Sequence, residues 1–146
     1  MIEARPPIYF VRHGVTDWNE ERRIQGQIDT SLNARGHDQS KALAHALFGV
    51  VKPDGELRFC VSPLRRAKET MGYIAHCFAI EESRIEIEPR LQELGFGIWE
   101  GRLVKELKTH HDYPRDPALL YHWRPENGES YADGTARVSP WIDRLD

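Results

Sequence analysis

The tripeptide Arg12-His13-Gly14 follows directly on the apolar run Ile8-Tyr9-Phe10-Val11. A short apolar run with β-branched members predicts a buried strand. A strand that ends in Arg-His-Gly sets a fixed cation, an imidazole and a backbone without Cβ at one sheet edge. Open α/β sheets bind their ligands in that place, outside the carboxyl ends of the strands. The polar stretch after Gly14, up to Thr30, has no clean period and reads as a functional loop.

The rest of the chain repeats the pattern of apolar run and periodic helix. Asn33 is suited to cap a helix whose apolar stripe is Ala42, Leu43, Ala46 and Leu47, with a turn at Pro53-Asp54-Gly55 after it. Residues 57–61 predict a second strand. Ser62-Pro63 then opens a helix with a side-chain cap and a proline in its first turn. Along that helix Leu64, Ala67, Met71, Ile74, Ala75 and Phe78 recur on one face. Ile85 and Ile87 alternate with glutamates as in a half-exposed third strand, which Pro89 closes. A glycine-rich aromatic loop at 95–101, a short helix at 103–108 and a surface excursion between Pro114 and Pro125 follow. A last helix starts near Ser130, where Ser130 and Asp133 have capping-box spacing. Gly134 and Pro140 weaken it, at about 1 and about 3 kcal/mol in a helix interior. The alternation predicts an α/β fold: a three-layer sandwich with a mostly parallel central sheet and helices on both faces.

At 146 residues and 40% hydrophobic content the chain suits a single domain, 1–146. Twenty basic against 23 acidic residues, a net charge of -3, give no general attraction to nucleic acid or to an anionic membrane. The chain has neither a long apolar span nor a signal-peptide core, and reads as cytoplasmic. Cys60 and Cys77 lack Cys-x-x-Cys spacing and read as reduced, buried thiols. No two histidines stand at helical i, i+4 spacing, and His110 and His111 read as surface residues, so no metal site is expected. The oligomeric state stays open.

The strand ends bring together Arg12 and His13, Ser62 and Arg66, and Glu93. Phosphoryl transfer needs fixed donors for the non-bridging oxygens, a nucleophile, and a proton source for the leaving oxygen. Arg12 and Arg66 supply planar, always-charged forks. His13 supplies a neutral ring nitrogen, if a nearby carbonyl holds the other. Glu93, enclosed between Leu94 and Phe96, would keep its proton and deliver it to the leaving alkoxide.

These residues stand in motifs that resemble the histidine phosphatase, or phosphoglycerate mutase-like, superfamily. IYFVRHGVTDWNEERRIQGQI at 8–28 is similar to its opening motif, with Arg12, His13, Gly14, Thr16, Asn19, Arg22, Gln25 and Gly26 in register. SPLRRAKET at 62–70 resembles the second motif and selects Arg66 over Arg65. LQELGFGIWEG at 91–101 resembles the segment that carries the acid, Glu93, and PENGES at 125–130 a later segment of small phosphatases. The resemblance implies a small phosphorylated substrate hydrolysed through a phosphohistidine on His13. Arg12, Asn19 and Arg66 would contact phosphate, and Thr16, Gln25 and Gly26 would border the substrate. It implies no metal and no cofactor, and the third motif is closest to broad-specificity and ribazole-type phosphatases.

The family also carries a second pocket histidine, in a His-Gly pair at the end of a later strand. His110, His111 and His122 neither follow an apolar strand nor precede glycine. The expectation is therefore a chain incomplete at its C-terminus, lacking that strand. Two alternatives accompany it: a non-catalytic, phosphate-binding remnant, and a 2,3-bisphosphoglycerate-dependent phosphoglycerate mutase.

Overall fold

Helix α2, Ala34–Val50, begins where the sequence predicts, with the Asn33 side chain accepting the Gly36 N–H at 2.9 Å. It lies along α3, Arg65–Phe78, and α3 packs in turn on strand β1, Phe59–Val61. The computed structural model describes residues 7–51 and 57–145; the expected Pro53-Asp54-Gly55 turn lies outside them. The other elements are α1, Asp17–Glu20; β2, Ile85–Ile87; α4, Val104–Thr109; α5, Pro117–Leu120; and α6, Tyr131–Ile142. Strands β1 and β2 pair in parallel, Phe59 with Ile85 and Val61 with Ile87. This is an α/β fold with a parallel sheet and helices.

Two expectations for the strands are corrected. Residues 8–11 form no strand, and among the described residues the sheet has two strands. Ile8, Tyr9, Phe10 and Val11 are exposed, Phe10 by 76%. A β-rich composition expresses a fit to a pleated, half-buried surface rather than a backbone preference, and among the described residues no neighbouring ladder supplies that surface. The second strand is also shorter than 57–61, starting at Phe59.

The helices are corrected in detail. On α2, Ala42 and Ala46 face solvent, and Gly36, Ser40 and Ala44 are the buried positions. Small residues at i, i+4 spacing let α2 approach closely: Ser40 Oγ stands 3.2 Å from Thr70 Oγ1 of α3. Phe48, Phe78 and Phe59 close the other end, the Phe78 ring meeting the other two edge-on at 5.1 and 5.8 Å. Helix α3 starts later than Ser62-Pro63 predicts, with Leu64 at its N-cap and no cap from its own side chain. The carboxylate of Asp29, 36 residues upstream, accepts the Arg65 N–H instead at 2.6 Å. Ser62 only turns the chain, accepting the Leu64 N–H at 3.4 Å.

Helix α6 keeps its predicted start, with a reciprocal capping box between Ser130 and Asp133. Its glycine has a packing reason, since a Cβ on Gly134 would stand 2.4 Å from Leu94 Cδ2. A second cluster forms around Ile24, Trp99 and Leu107, with Phe96, Val104, Tyr113 and Trp123 against it. Among the described residues no helix is long and apolar enough to cross a membrane.

Candidate active site

Two glycines place His13. A Cβ on Gly14 would stand 2.3 Å from the Gly36 carbonyl oxygen, and one on Gly36 would stand 2.0 Å from the Val15 oxygen. The segment after His13 therefore lies flush on the first turn of α2, at a distance that only glycine on both sides permits. The Gly14 N–H donates to Thr70 Oγ1 of α3 at 3.1 Å. The nucleophile candidate is thus held at the α2–α3 junction.

The His13 ring is half-buried, and its Nδ1 lies 2.7 Å from the Gly14 carbonyl oxygen. A carbonyl only accepts, so Nδ1 carries the proton and Nε2 keeps the lone pair. Burial pushes the imidazole below its ordinary value, and the positive fields of Arg66 and Arg12 push the same way. The Gly14 carbonyl and Glu93 act in the opposite direction. Arg12, Arg66 and Glu93 thus all act electrostatically on His13.

The two arginines of SPLRRAKET separate cleanly. Arg65 is exposed and pairs with Glu69 one turn on, at 2.8 Å. Arg66 is 2% exposed and donates to the carbonyls of Gly26 and Ile28 at 2.8 and 2.9 Å. Its burial lowers the guanidinium pKa, opposed by the carboxylates of Glu93, Asp29 and Glu100. A cation held this way joins α3 to the loop at 26–30, which the sequence alone does not foresee. Arg12 is exposed.

The loop itself is braced from within. Thr16, 1% exposed, donates its hydroxyl to Gln25 Oε1 at 2.8 Å and accepts the Asn19 N–H at 3.2 Å. The Asn19 carboxamide oxygen accepts the Thr16 N–H at 3.0 Å, which completes a capping box on α1. Thr16 and Gln25 are therefore loop braces rather than an exposed substrate surface. Gly26 has a φ of +52°, and a Cβ there would stand 2.1 Å from Glu100 Oε1. That oxygen accepts the N–H groups of both Gln27 and Phe96 at 3.0 Å, joining the first motif to the third.

The enclosure expected for Glu93 is corrected. Its side chain is exposed and accepts its neighbour's Leu94 N–H at 2.9 Å. What is held tightly is the backbone around it. Gln27 Nε2 donates to the Glu93 carbonyl at 3.0 Å and to Glu129 Oε2 at 3.2 Å. The same Glu129 oxygen accepts the Gly95 N–H at 2.8 Å and an N–H of Arg137 at 3.1 Å. Arg137 in turn donates to the carbonyls of Arg90 and Gln92 at 2.6 and 2.8 Å. Gln27, Glu129 and Arg137 thus grip the acid-bearing loop on both sides. The sequence reading missed all three as site residues, and Glu100 with them. Gln27, Glu100 and Glu129 all stand inside the motifs, but the contacts of Gln27 with Glu100 and Glu129 span 73 and 102 residues, which no spacing pairs.

Known proteins resemble this chain in sequence and in fold. The family model for the histidine phosphatase superfamily (branch 1) matches residues 8–146. A probable phosphoglycerate mutase GpmB of Serratia proteamaculans is 35% identical over 127 residues, covering 87% of this chain and 52% of that protein. The protein of the same name from Enterobacter sp. is 39% identical over 133 residues, 90% of this chain and 59% of that one. The chain therefore spans little more than half the length of these curated relatives. Among solved structures, the mycobacterial glucosyl-3-phosphoglycerate phosphatase complexed with VO3 superposes with a TM-score of 0.76 at 31% identity, covering 91% of this chain and 61% of that one. The alpha-ribazole phosphatase from Shigella flexneri superposes with a TM-score of 0.73 at 29% identity, over 92% and 64% of the two chains.

Proposed function

Because the chain belongs to the histidine phosphatase superfamily (branch 1), we propose that its site hydrolyses phosphomonoesters through a phosphohistidine on His13. The observation that carries this reading is the Nδ1 contact to the Gly14 carbonyl at 2.7 Å, which leaves Nε2 as the free nucleophilic nitrogen. Nε2 attacks phosphorus and forms the P–N bond while the bond to the leaving alkoxide breaks. Glu93 gives that alkoxide a proton. The resulting Glu93 carboxylate then takes a proton from water, the water oxygen attacks phosphorus, and the P–N bond breaks to release phosphate and restore His13. Arg12 and Arg66 stabilise the charge on the equatorial oxygens, and Asn19 is the third phosphate contact in this reading.

Hydrolysis is favoured over mutase chemistry because the superposed structures are phosphatases by name, one of them holding VO3. The second reading, a phosphoglycerate mutase, rests on the names of the curated relatives. Inorganic phosphate released from simple monoesters, with no stimulation by 2,3-bisphosphoglycerate, separates the two.

The acid role is tested by leaving group. Glu93→Gln lowers kcat on alkyl phosphates by about 10²–10⁴-fold, and changes nitrophenyl phosphate turnover only severalfold, since nitrophenolate leaves without a proton. Equal losses on both substrates remove Glu93 from that role. The pH profile tests the nucleophile. Only the neutral imidazole attacks, and a lowered His13 pKa keeps it neutral further into acid. The acidic limb of kcat/KM therefore falls below the ordinary histidine value of about 6.5. A limb above that value contradicts the assignment.

A further inference from the structure

Helix α4 ends at Thr109, and the next three residues are His110, His111 and Asp112. One nitrogen of each imidazole and one carboxylate oxygen lie within 4.8 Å of one another. His111 Nε2 stands 3.2 Å from Asp112 Oδ1, and His110 Nδ1 stands 3.7 Å from Asp112 Oδ2. Donors bound to a tetrahedral zinc at ordinary lengths stand about 3.4 Å apart. The two imidazole-to-carboxylate distances, which run to different oxygens of Asp112, are near that spacing before any ion is added, and the three donors as a set lie within 4.8 Å. We propose that His110, His111 and Asp112 form a surface site for a divalent transition-metal ion of the zinc class, with three protein donors and one open position.

The donor set decides the class. Two imidazole nitrogens with one carboxylate suit zinc, cobalt, nickel or copper, whereas magnesium and calcium take oxygen ligands. The turn that carries the donors is built, not loose. The His110 N–H donates to the Leu107 carbonyl at 3.1 Å, and the His110 carbonyl accepts from Tyr113 N at 3.2 Å. Arg115 reaches back to the carbonyls of Lys108 and Thr109, at 2.8 and 3.4 Å. The His110 ring meets the buried Trp99 ring edge-on at 4.9 Å, which fixes the orientation of the least exposed donor. Its Nδ1 faces the turn and accepts the Asp112 N–H at 3.4 Å, a long bond that a metal ion on that nitrogen would replace.

The site stands apart from the phosphoryl chemistry: no step proposed for His13 passes through it, and a zinc ion bound here leaves the nucleophile untouched. It does touch the same loop system, since Trp99 closes the turn Gly97–Trp99 that follows the Glu93 segment. Its N–H bonds the Phe96 carbonyl at 3.1 Å.

Calorimetric titration of the full chain with Zn²⁺ in metal-free buffer tests the proposal without reference to activity. The expected result is one saturable site per chain, weakened at least tenfold by His110→Gln and by His111→Gln and abolished by the double variant. His45→Gln, which alters a different imidazole 3.8 Å from Cys77 in the α2–α3 groove, leaves it unchanged. His111 and Asp112 are exposed and His110 half-buried, and far-UV circular dichroism verifies that each variant is folded. Absence of saturable Zn²⁺ binding, or binding that survives the double variant, overturns the site. So does loss of binding in His45→Gln alone.

Discussion

A His13→Ala chain mixed with nitrophenyl phosphate releases no nitrophenol above the buffer rate and carries no acid-labile phosphate. Removing the nucleophile from a covalent mechanism deletes the intermediate outright, so the loss on a chain that turns over is three orders of magnitude or more, as roughly found for other covalent enzymes. The check is peptide mass spectrometry on samples quenched seconds after mixing, with nitrophenol release followed in parallel. The native chain shows phosphate on the peptide that contains His13, and the variant shows none. Phosphate retained elsewhere in the variant sinks the assignment. So does a folded native chain that neither turns over nor becomes labelled. The substitution itself is mild on the fold, since the Gly14 approach to α2 and its bond to Thr70 are made by backbone.

Arg66→Met has the second largest effect, and it acts on stability as well as on phosphate. The guanidinium is buried and tied to the carbonyls of Gly26 and Ile28. Methionine fills similar space but donates nothing. Each acceptor left unpaired costs about 1–3 kcal/mol, which lowers Tm by roughly 5–15 °C in a domain of this size. Inorganic phosphate separates the two roles: it raises the Tm of the native chain by mass action and leaves that of Arg66→Met unchanged. A variant that melts with the native chain overturns the loop-holding role. One that phosphate still stabilises overturns the binding role.

Local signals were legible wherever the partner group lies within a few residues. The Asn33 cap and the Ser130–Asp133 capping box follow from spacing, and the structure has them; of the apolar face predicted on α3 it buries Ile74 and Ala75, beside Arg66 and Thr70. The preference for Arg66 over Arg65 came from the motif; in the structure Arg66 is buried and Arg65 sits in an exposed ion pair. Composition misled where it had to stand in for a partner. Residues 8–11 have the side chains of a strand, yet strand is a property of a pair, and among the described residues nothing pairs with them. The stripe chosen on α2 followed apolar character alone, Ala42 and Ala46 with two leucines, whereas the close contact with α3 buries Gly36, Ser40 and Ala44.

By itself, the sequence determined the family and the order of its candidate groups: an imidazole, two guanidiniums and a carboxylate in three of four ordered motifs, together with the α/β alternation around them. Only the tertiary structure decided what each group does with its surroundings. It turned the His13 ring by a backbone carbonyl, made Arg66 a cation that also holds a loop, left the Glu93 carboxylate open to water, and gripped its backbone through Gln27, Glu129 and Arg137. The physical reason is range. Side-chain periodicity and capping act over one or two turns of chain, whereas burial, field and hydrogen-bond partnership are set by groups that meet in space from as far as 102 residues apart.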